Sequence, residues 1–284
     1  MYTKREFPDS QKYDVSAFER EQKEKIDKWF KDGGAQSAQA YQYEAGSIFG
    51  GSNNGEKIAE FKPSDSIKAA EDFARQFVDT ANVESIGVSY DGLSVETANI
   101  VNQRITEFVN SYDVGKFNGI VSPEKGSVLW EELKDNNAAF GMTNRNLLIN
   151  REKMATPEIF ASRVERTKQI VSAYMKNPEE FIATYNPSDM DLRILEGSRK
   201  SGRAFVSESI ADSIDHELGH ALKKRLVYAK DYVKIMANWE KKAISVSGYA
   251  TTSFDDYIAE SFSAWKKGEK IDRTLEKAFK EIRR

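Results

Sequence analysis

A hydrophobic repeat with a period of four residues runs through the C-terminal third of this 284-residue chain. Its members are Val206, Ile210, Ile214, Leu218, Leu222 and Leu226. Because side chains four positions apart share one face of an α-helix, the repeat predicts a helix of about 22 residues with one face in a hydrophobic core. Other elements of the fold must therefore cover that face.

The two histidines of the chain, His216 and His220, both lie in this segment, within the sequence DHELGHA. In a helix they are about 40° apart and roughly 200° from Ile214, so both point away from the repeat. Glu217 projects between the two faces. In a His-Glu-x-x-His motif, two neutral imidazoles bind zinc and the glutamate accepts a proton from water. The sequence therefore predicts His216 and His220 as zinc ligands and Glu217 as a general base.

A simpler interpretation is that the two histidines are solvated on a polar helix face. Against it, histidine occurs nowhere else in the chain. Gly219, in the middle of the motif, costs about 1 kcal/mol relative to alanine in a helix. This predicts that another part of the structure approaches that turn closely.

A third ligand must be a carboxylate, because the chain has no cysteine and no further histidine. The sequence SGYATTSFDDYIAESFSAW predicts a second helix on which Asp256 and Glu260 lie one turn apart. One carboxylate could bind the metal while the other accepts a hydrogen bond from a ligand histidine. Asp256 could instead cap the helix that follows Ser253, and Glu260 could be a solvated surface charge. The residues alone leave these alternatives open.

These two segments together resemble the zinc peptidase domains of the anthrax lethal factor-like family, which are also attached to phage minor head proteins. The resemblance covers about residues 205–265, and it is weaker over 63–200. It implies a zincin-like metallopeptidase with Zn²⁺ as cofactor and Asp256 as third ligand. It also implies that Glu260 supports a ligand histidine and that Tyr249, seven residues before Asp256, stabilises the reacting oxyanion. The family has glutamate where Asp256 stands, so Glu260 remains the alternative ligand.

Two other functions compete with this one. Regulatory peptidases that cleave phage repressors also combine His-Glu-x-x-His with a carboxylate, but a leucine-rich segment ending in proline usually follows, and SFSAWKKGEK differs from it. A phage head-associated structural or interaction protein could retain the peptidase fold. Intact His216, Glu217 and His220 favour the enzyme, because a scaffold has no physical need of a catalytic glutamate.

The rest of the chain predicts an α+β fold that is mainly helical, with a small β-sheet beside the motif helix. Helices are expected over 64–79 and 94–110, from Pro157 to about 176, and from Pro178. Short apolar runs between 128 and 153 (SVLWEEL, AAFGMT and NLLINREKM) predict strands with one hairpin. A peptide substrate could pair with a sheet edge around 138–149.

The N-terminal part is expected to form a helix over 16–32 and a linker or arm over 33–60, where Gly, Ser, Gln and Asn are frequent. We therefore divide the chain into 1–60, a helical region over 61–127 that packs on the catalytic part, and a metallopeptidase domain over 128–284.

Composition narrows the choice of partners. A net charge of −3 and a pI of about 5.7 give no general attraction to nucleic acid or to anionic membranes. No run approaches the roughly 18 apolar residues of a membrane span, and the N-terminus lacks the apolar core of a signal peptide. We expect a peptide or protein substrate and a cytoplasmic site of synthesis, which leaves open a phage-encoded, virion-associated or host-delivered protein.

Overall fold

The computed structural model of the protein describes residues 60–133, 136–141 and 144–284. The helix expected over 16–32, and the linker expected over 33–60 except for its last residue, lie outside this part of the chain. The helices are α1 (Ile67–Ala74), α2 (Val95–Ser111), α3 (Val128–Leu133), α4 (Pro157–Lys176), α5 (Pro178–Tyr185), α6 (Asp189–Ser201), α7 (Ile210–Leu226), α8 (Tyr232–Ala243), α9 (Phe254–Lys266) and α10 (Arg273–Glu281). Two short 3-10 helices span Arg75–Phe77 and Tyr249–Thr251.

The four short strands are β1 (Gly87–Ser89), β2 (Gly119–Val121), β3 (Ala138–Phe140) and β4 (Asn146–Ile149). They form one sheet in the order β1-β2-β4-β3. The β1–β2 and β2–β4 pairs are parallel, whereas β3 is antiparallel to β4 and lies at the edge of the sheet. The α+β fold class and the hairpin are therefore confirmed. The sheet also includes β1 and β2, which lie outside the segment predicted to form strands.

The expectation of a strand within SVLWEEL is wrong, because Val128–Leu133 forms the short helix α3. The Ser127 hydroxyl accepts a hydrogen bond from the backbone N–H of Trp130, as at a helix start. Trp130 and Leu133 are both buried, and their three-residue spacing suits one face of a helix. The buried residues of this segment therefore recur with the spacing of a helix, not with that of a strand.

Capping residues and prolines in the local sequence mark the starts of other helices. Thr156 caps α4 and Asn177 caps α5, and each helix has proline in its first turn. Ser209 and Asp212 form a reciprocal capping box at the start of the motif helix α7. That helix has 17 residues, fewer than expected, because the capping box begins it at Ile210 and leaves Val206 in the preceding segment.

The face of α7 that carries the hydrophobic repeat lies in the main core, with each of its side chains at most 2% exposed. On the other side of α7, helix α9 packs closely against Gly219. A Cβ atom added to Gly219 would lie 2.7 Å from the Cα atom of Ala259 and 3.1 Å from the Cβ atom of Phe262. The close approach expected at Gly219 is therefore present, and it places α9 beside the face that carries the two histidines.

A second, smaller hydrophobic cluster lies among helices α4, α5 and α6 and the segment after α6. It consists of Val171, Tyr174, Phe181, Leu195 and Ala204. No helix in the described part of the chain is long and apolar enough to cross a membrane.

Candidate metal centre and the surrounding cleft

Three side chains from α7 and α9 bring potential metal ligands together. The Nε2 atoms of His216 and His220 lie 3.2 Å apart, and Oδ1 of Asp256 lies 4.0 Å from Nε2 of His220. One ligand atom from each of the three residues lies within 4.8 Å of the other two. The histidines face each other because they are one turn apart on α7, and Asp256 reaches them because α9 packs against Gly219.

Glu260 lies behind His216 and outside this three-residue cluster. Its Oε1 atom lies 2.9 Å from Nδ1 of His216. Its Oε2 atom accepts hydrogen bonds from the backbone N–H of Val206 at 2.7 Å and from the hydroxyl of Ser247 at 2.6 Å. Both oxygens are thus engaged, and the residue is only 1% exposed. Glu260 is therefore a buried group that orients His216, and the interpretation of it as a solvated surface charge is wrong.

Asp256 combines a capping contact with a position facing the cluster. Ser253 is the N-cap of α9, and its hydroxyl oxygen accepts a hydrogen bond from the backbone N–H of Asp256 at 3.0 Å. Oδ2 of Asp256 in turn accepts hydrogen bonds from the hydroxyls of Ser253 and Thr252, at 2.6 and 2.5 Å. The other oxygen, Oδ1, is directed toward His220. The two interpretations of Asp256 are therefore compatible.

The protonation states of the two imidazoles are tightly coupled. Burial lowers the pKa of His216, but the hydrogen bond to Glu260 and the charge of that carboxylate outweigh it and raise the pKa to about 9. Burial, together with the positive charges of His216 and Lys223, lowers the pKa of His220 to about 3. His220 is therefore neutral at neutral pH, and its ring nitrogen can act as a ligand.

Glu217 connects the motif helix to the edge of the sheet. Its Oε2 atom accepts a hydrogen bond from the backbone N–H of Phe140 in β3 at 2.9 Å. The residue is 7% exposed, and burial raises its pKa above the usual value for a glutamate. A carboxylate that is held in place and has a raised pKa is suited to accepting and releasing a proton during catalysis.

Tyr249 lies in the second 3-10 helix, against the candidate centre. Its ring packs at a tilted angle on His216, with ring centroids 5.6 Å apart, and on Phe205, with centroids 5.1 Å apart. Burial raises the pKa of Tyr249, and the carboxylate of Asp256 raises it further. The hydroxyl therefore stays protonated at neutral pH and can donate a hydrogen bond.

The edge strand β3 presents backbone groups away from β4. Gly141 N–H bonds to Asn146 C=O, and Asn150 N–H bonds to Asn137 C=O. Hydrogen-bonding direction alternates along an antiparallel strand, so the backbone groups of Ala138 and Phe140 point to the outer edge. The bond from Phe140 N–H to Glu217 agrees with this alternation.

These elements surround a cleft of about 1320 Å³. Its lining includes His216, Glu217, His220, Tyr249, Asp256 and Glu260, residues 136–140, one face of α4, and residues 202–205. The sequence placed candidate residues on two helices, and the structure brings them together in this cleft. Sequence reasoning missed the hydrogen bonds from Phe140 and Ser247, because neither a backbone N–H nor a serine two residues before Tyr249 has a distinctive pattern.

Comparisons with known proteins do not assign a function to this site. No family model, no curated protein and no solved structure matches the chain.

Proposed function

We propose that the protein is a zinc-dependent metalloendopeptidase with a zincin-like fold. The observation that carries this proposal is the buried carboxylate of Glu217, held beside the His216, His220 and Asp256 cluster in a large cleft. A general base next to three potential ligands is the arrangement that metal-assisted hydrolysis requires.

The donor set fits zinc. Two imidazoles and one carboxylate are a common protein ligand set at catalytic zinc sites, which keep a fourth position open. His216, His220 and Asp256 would hold the ion, and Glu260 would keep the ring of His216 in the correct orientation and tautomer. Glu260 is less suited as the third ligand, because its two oxygens already interact with His216, Val206 and Ser247.

Each residue around the cluster has a distinct task in this proposal. Zinc would supply a Lewis acid and would lower the pKa of water to about 7. Glu217 accepts the proton of the attacking water and delivers it to the leaving amide nitrogen, and its raised pKa suits both transfers. The Tyr249 hydroxyl donates a hydrogen bond to the oxyanion that develops on the peptide carbonyl.

The peptide substrate would lie along β3. A peptide in extended conformation can pair with the outward-facing N–H and C=O of Ala138 and with the C=O of Phe140, which orients the chain without selecting its side chains. Because Phe140 also donates to Glu217, this pairing would place the scissile carbonyl next to the general base.

Metal analysis and hydrolysis together test the proposal. The purified protein should contain one zinc ion per chain and should hydrolyse members of a mixed peptide library, and a chelator should abolish the hydrolysis. Glu217→Gln keeps the shape of the side chain but removes the base. It should retain zinc while hydrolysis falls by about 100- to 10,000-fold.

Glu152→Gln is the matched control, because Glu152 is half exposed and pairs only with exposed Lys125 among the described residues. This variant should keep full activity. Full activity of Glu217→Gln would show that the assigned base is wrong. Bound zinc without hydrolysis of any peptide would favour the structural or interaction protein instead.

A further inference from the structure

One face of helix α4 lines the cleft. The lining residues of this helix follow alternating steps of three and one positions, which places them on one side of it. They are Phe160, Arg163, Val164, Thr167, Lys168, Val171, Ser172 and Met175. Half of these side chains are apolar, and the two cations among them are Arg163 and Lys168.

Most charged groups around the cleft already have an opposite charge. Lys168 pairs with Glu208 at 2.9 Å, and Arg203 pairs with Glu269 at 2.7 Å. Asp255 pairs with Lys223. The carboxylates of the candidate centre have the hydrogen bonds described above. The charges of Lys168, Arg203 and Asp255 are therefore balanced within the protein.

Arg163 differs from them. Within residues 60–133, 136–141 and 144–284, its guanidinium group makes no hydrogen bond and no ion pair. Partial burial lowers the pKa of Arg163, and the positive charge of Arg166 lowers it further. The side chain of Arg163 is exposed, and an arginine stays charged in proteins, so the wall of the cleft carries a solvent-accessible cation that has no counter-charge among these described residues.

Exposed apolar side chains lie in the same cleft. Met190 is 54% exposed, Met175 is 40% exposed and Phe205 is 37% exposed, and all three line the cleft. Flexible methionines and an aromatic ring can cover apolar side chains of different shapes. The cleft therefore combines an unpaired cation with an adaptable apolar surface.

We infer that Arg163 determines substrate specificity by binding a carboxylate of the peptide, so that the enzyme selects peptides that combine an acidic group with apolar residues. This inference rests on the proposed peptidase function. A guanidinium group can bind a carboxylate through two parallel hydrogen bonds, and the new pair would supply the missing counter-charge. The carboxylate could belong to an Asp or Glu side chain or to the C-terminus of the peptide.

Binding to the full-length Glu217→Gln variant tests the inference without hydrolysis. Three fluorescein-labelled peptide pools would be titrated and followed by anisotropy. The first has Glu at a fixed position among randomised apolar residues and an amidated C-terminus. The second has Gln at that position, and the third has Gln and a free C-terminus. Either the first or the third pool should bind about 10-fold more tightly than the second, which identifies the source of the carboxylate.

Arg163→Gln, added to Glu217→Gln, should remove this preference. Arg163→Glu should reverse it in favour of a pool with Lys at the fixed position. Arg166→Gln is the matched control, because Arg166 lies on the same helix but does not line the cleft. That control should keep the preference.

Three results would each overturn the inference. They are equal affinity for all three pools, a preference that survives in Arg163→Gln, and a preference that is lost equally in Arg166→Gln. These outcomes are separate from the test of the proposed function. A protein without zinc or hydrolysis would refute the peptidase, whereas peptide selection by Arg163 is measured by binding alone.

Discussion

Oε1 of Glu260 lies 2.9 Å from Nδ1 of His216, so the imidazole donates through Nδ1 and its Nε2 atom is turned toward His220. The two carboxylates of α9 therefore have different relations to the motif helix. Glu260 fixes the orientation of one histidine, whereas Asp256 faces the space between both.

This difference predicts unequal effects on zinc affinity. Glu260→Gln removes an orienting charge and should weaken zinc binding by about 10- to 100-fold. Asp256→Asn removes the proposed ligand and should weaken it more. Competition with a chromophoric chelator measures both affinities, and thermal unfolding of each variant checks that the fold is intact. A larger loss for Glu260→Gln would reverse the two roles.

Tyr249→Phe should separate chemistry from metal binding. Phenylalanine keeps the ring contacts with His216 and Phe205 but lacks the hydroxyl. We expect zinc affinity to be unchanged and kcat to fall by about 100-fold, as for the loss of one donor to an oxyanion. Steady-state hydrolysis and zinc titration test this. An unchanged kcat would assign Tyr249 to packing alone.

Gly219→Ala should destabilise the protein although alanine favours helix formation by about 1 kcal/mol. The added Cβ atom would lie 2.7 Å from the Cα atom of Ala259, and backbone cannot move aside cheaply. Overpacking of this kind costs about 1 to 3 kcal/mol and would push α9 away from α7. Urea denaturation should show lower stability, and zinc affinity should fall with it. A stabilised variant would show that the two helices adjust freely.

The Arg203–Glu269 pair predicts a pH-dependent contribution to stability. Two hydrogen bonds, at 3.0 and 2.7 Å, join the groups, and those from Arg203 hold the pKa of Glu269 below its usual value. A lowered folded-state pKa gives stability that is present above the unfolded pKa of about 4.3 and is lost as the pH falls through the lower folded value.

Glu269→Gln should therefore lower the Tm by about 2 to 4 °C at pH 7, which corresponds to about 1 kcal/mol for a partly exposed pair. At acidic pH, below the folded-state pKa of Glu269, the native chain and the variant should unfold at the same temperature. Glu152→Gln, which breaks a more exposed pair with Lys125, should have a smaller effect at pH 7. A difference that persists at acidic pH would show that packing, not charge, is responsible.

The sequence predicted the elements whose signals are local. The hydrophobic repeat identified α7, and Pro157 and Pro178 identified the starts of α4 and α5, because periodicity and caps act within a few residues. Strands β1 and β2 were missed because each has three residues and their parallel pairing joins distant segments. The strand expected within SVLWEEL is instead helix α3, because a short segment with a few apolar residues is ambiguous between strand and helix.

The candidate site was predictable only in part, because the sequence shows local spacing but not how distant segments pack together. His216, Glu217 and His220 follow from a motif on one helix. The difference between Asp256 and Glu260 depends on how α9 is rotated against α7, which no spacing in the sequence determines. Arg163 lies on α4, far along the chain from the motif, and reaches the cleft only through tertiary packing.

The separate hydrophobic cluster among α4, α5 and α6 affects which parts of the protein can open independently of the main core. Helices α5 and α6 contribute no side chain to the main hydrophobic core, whereas Phe160 of α4 belongs to it, so α5 and α6 can open locally while the main core and α4 stay folded. Amide hydrogens of α5 should therefore exchange with solvent through a lower-energy opening than those of α7 and α9. Met190 of α6 lines the cleft, so this opening would widen it, while Glu217, His216 and His220 on α7 keep their positions.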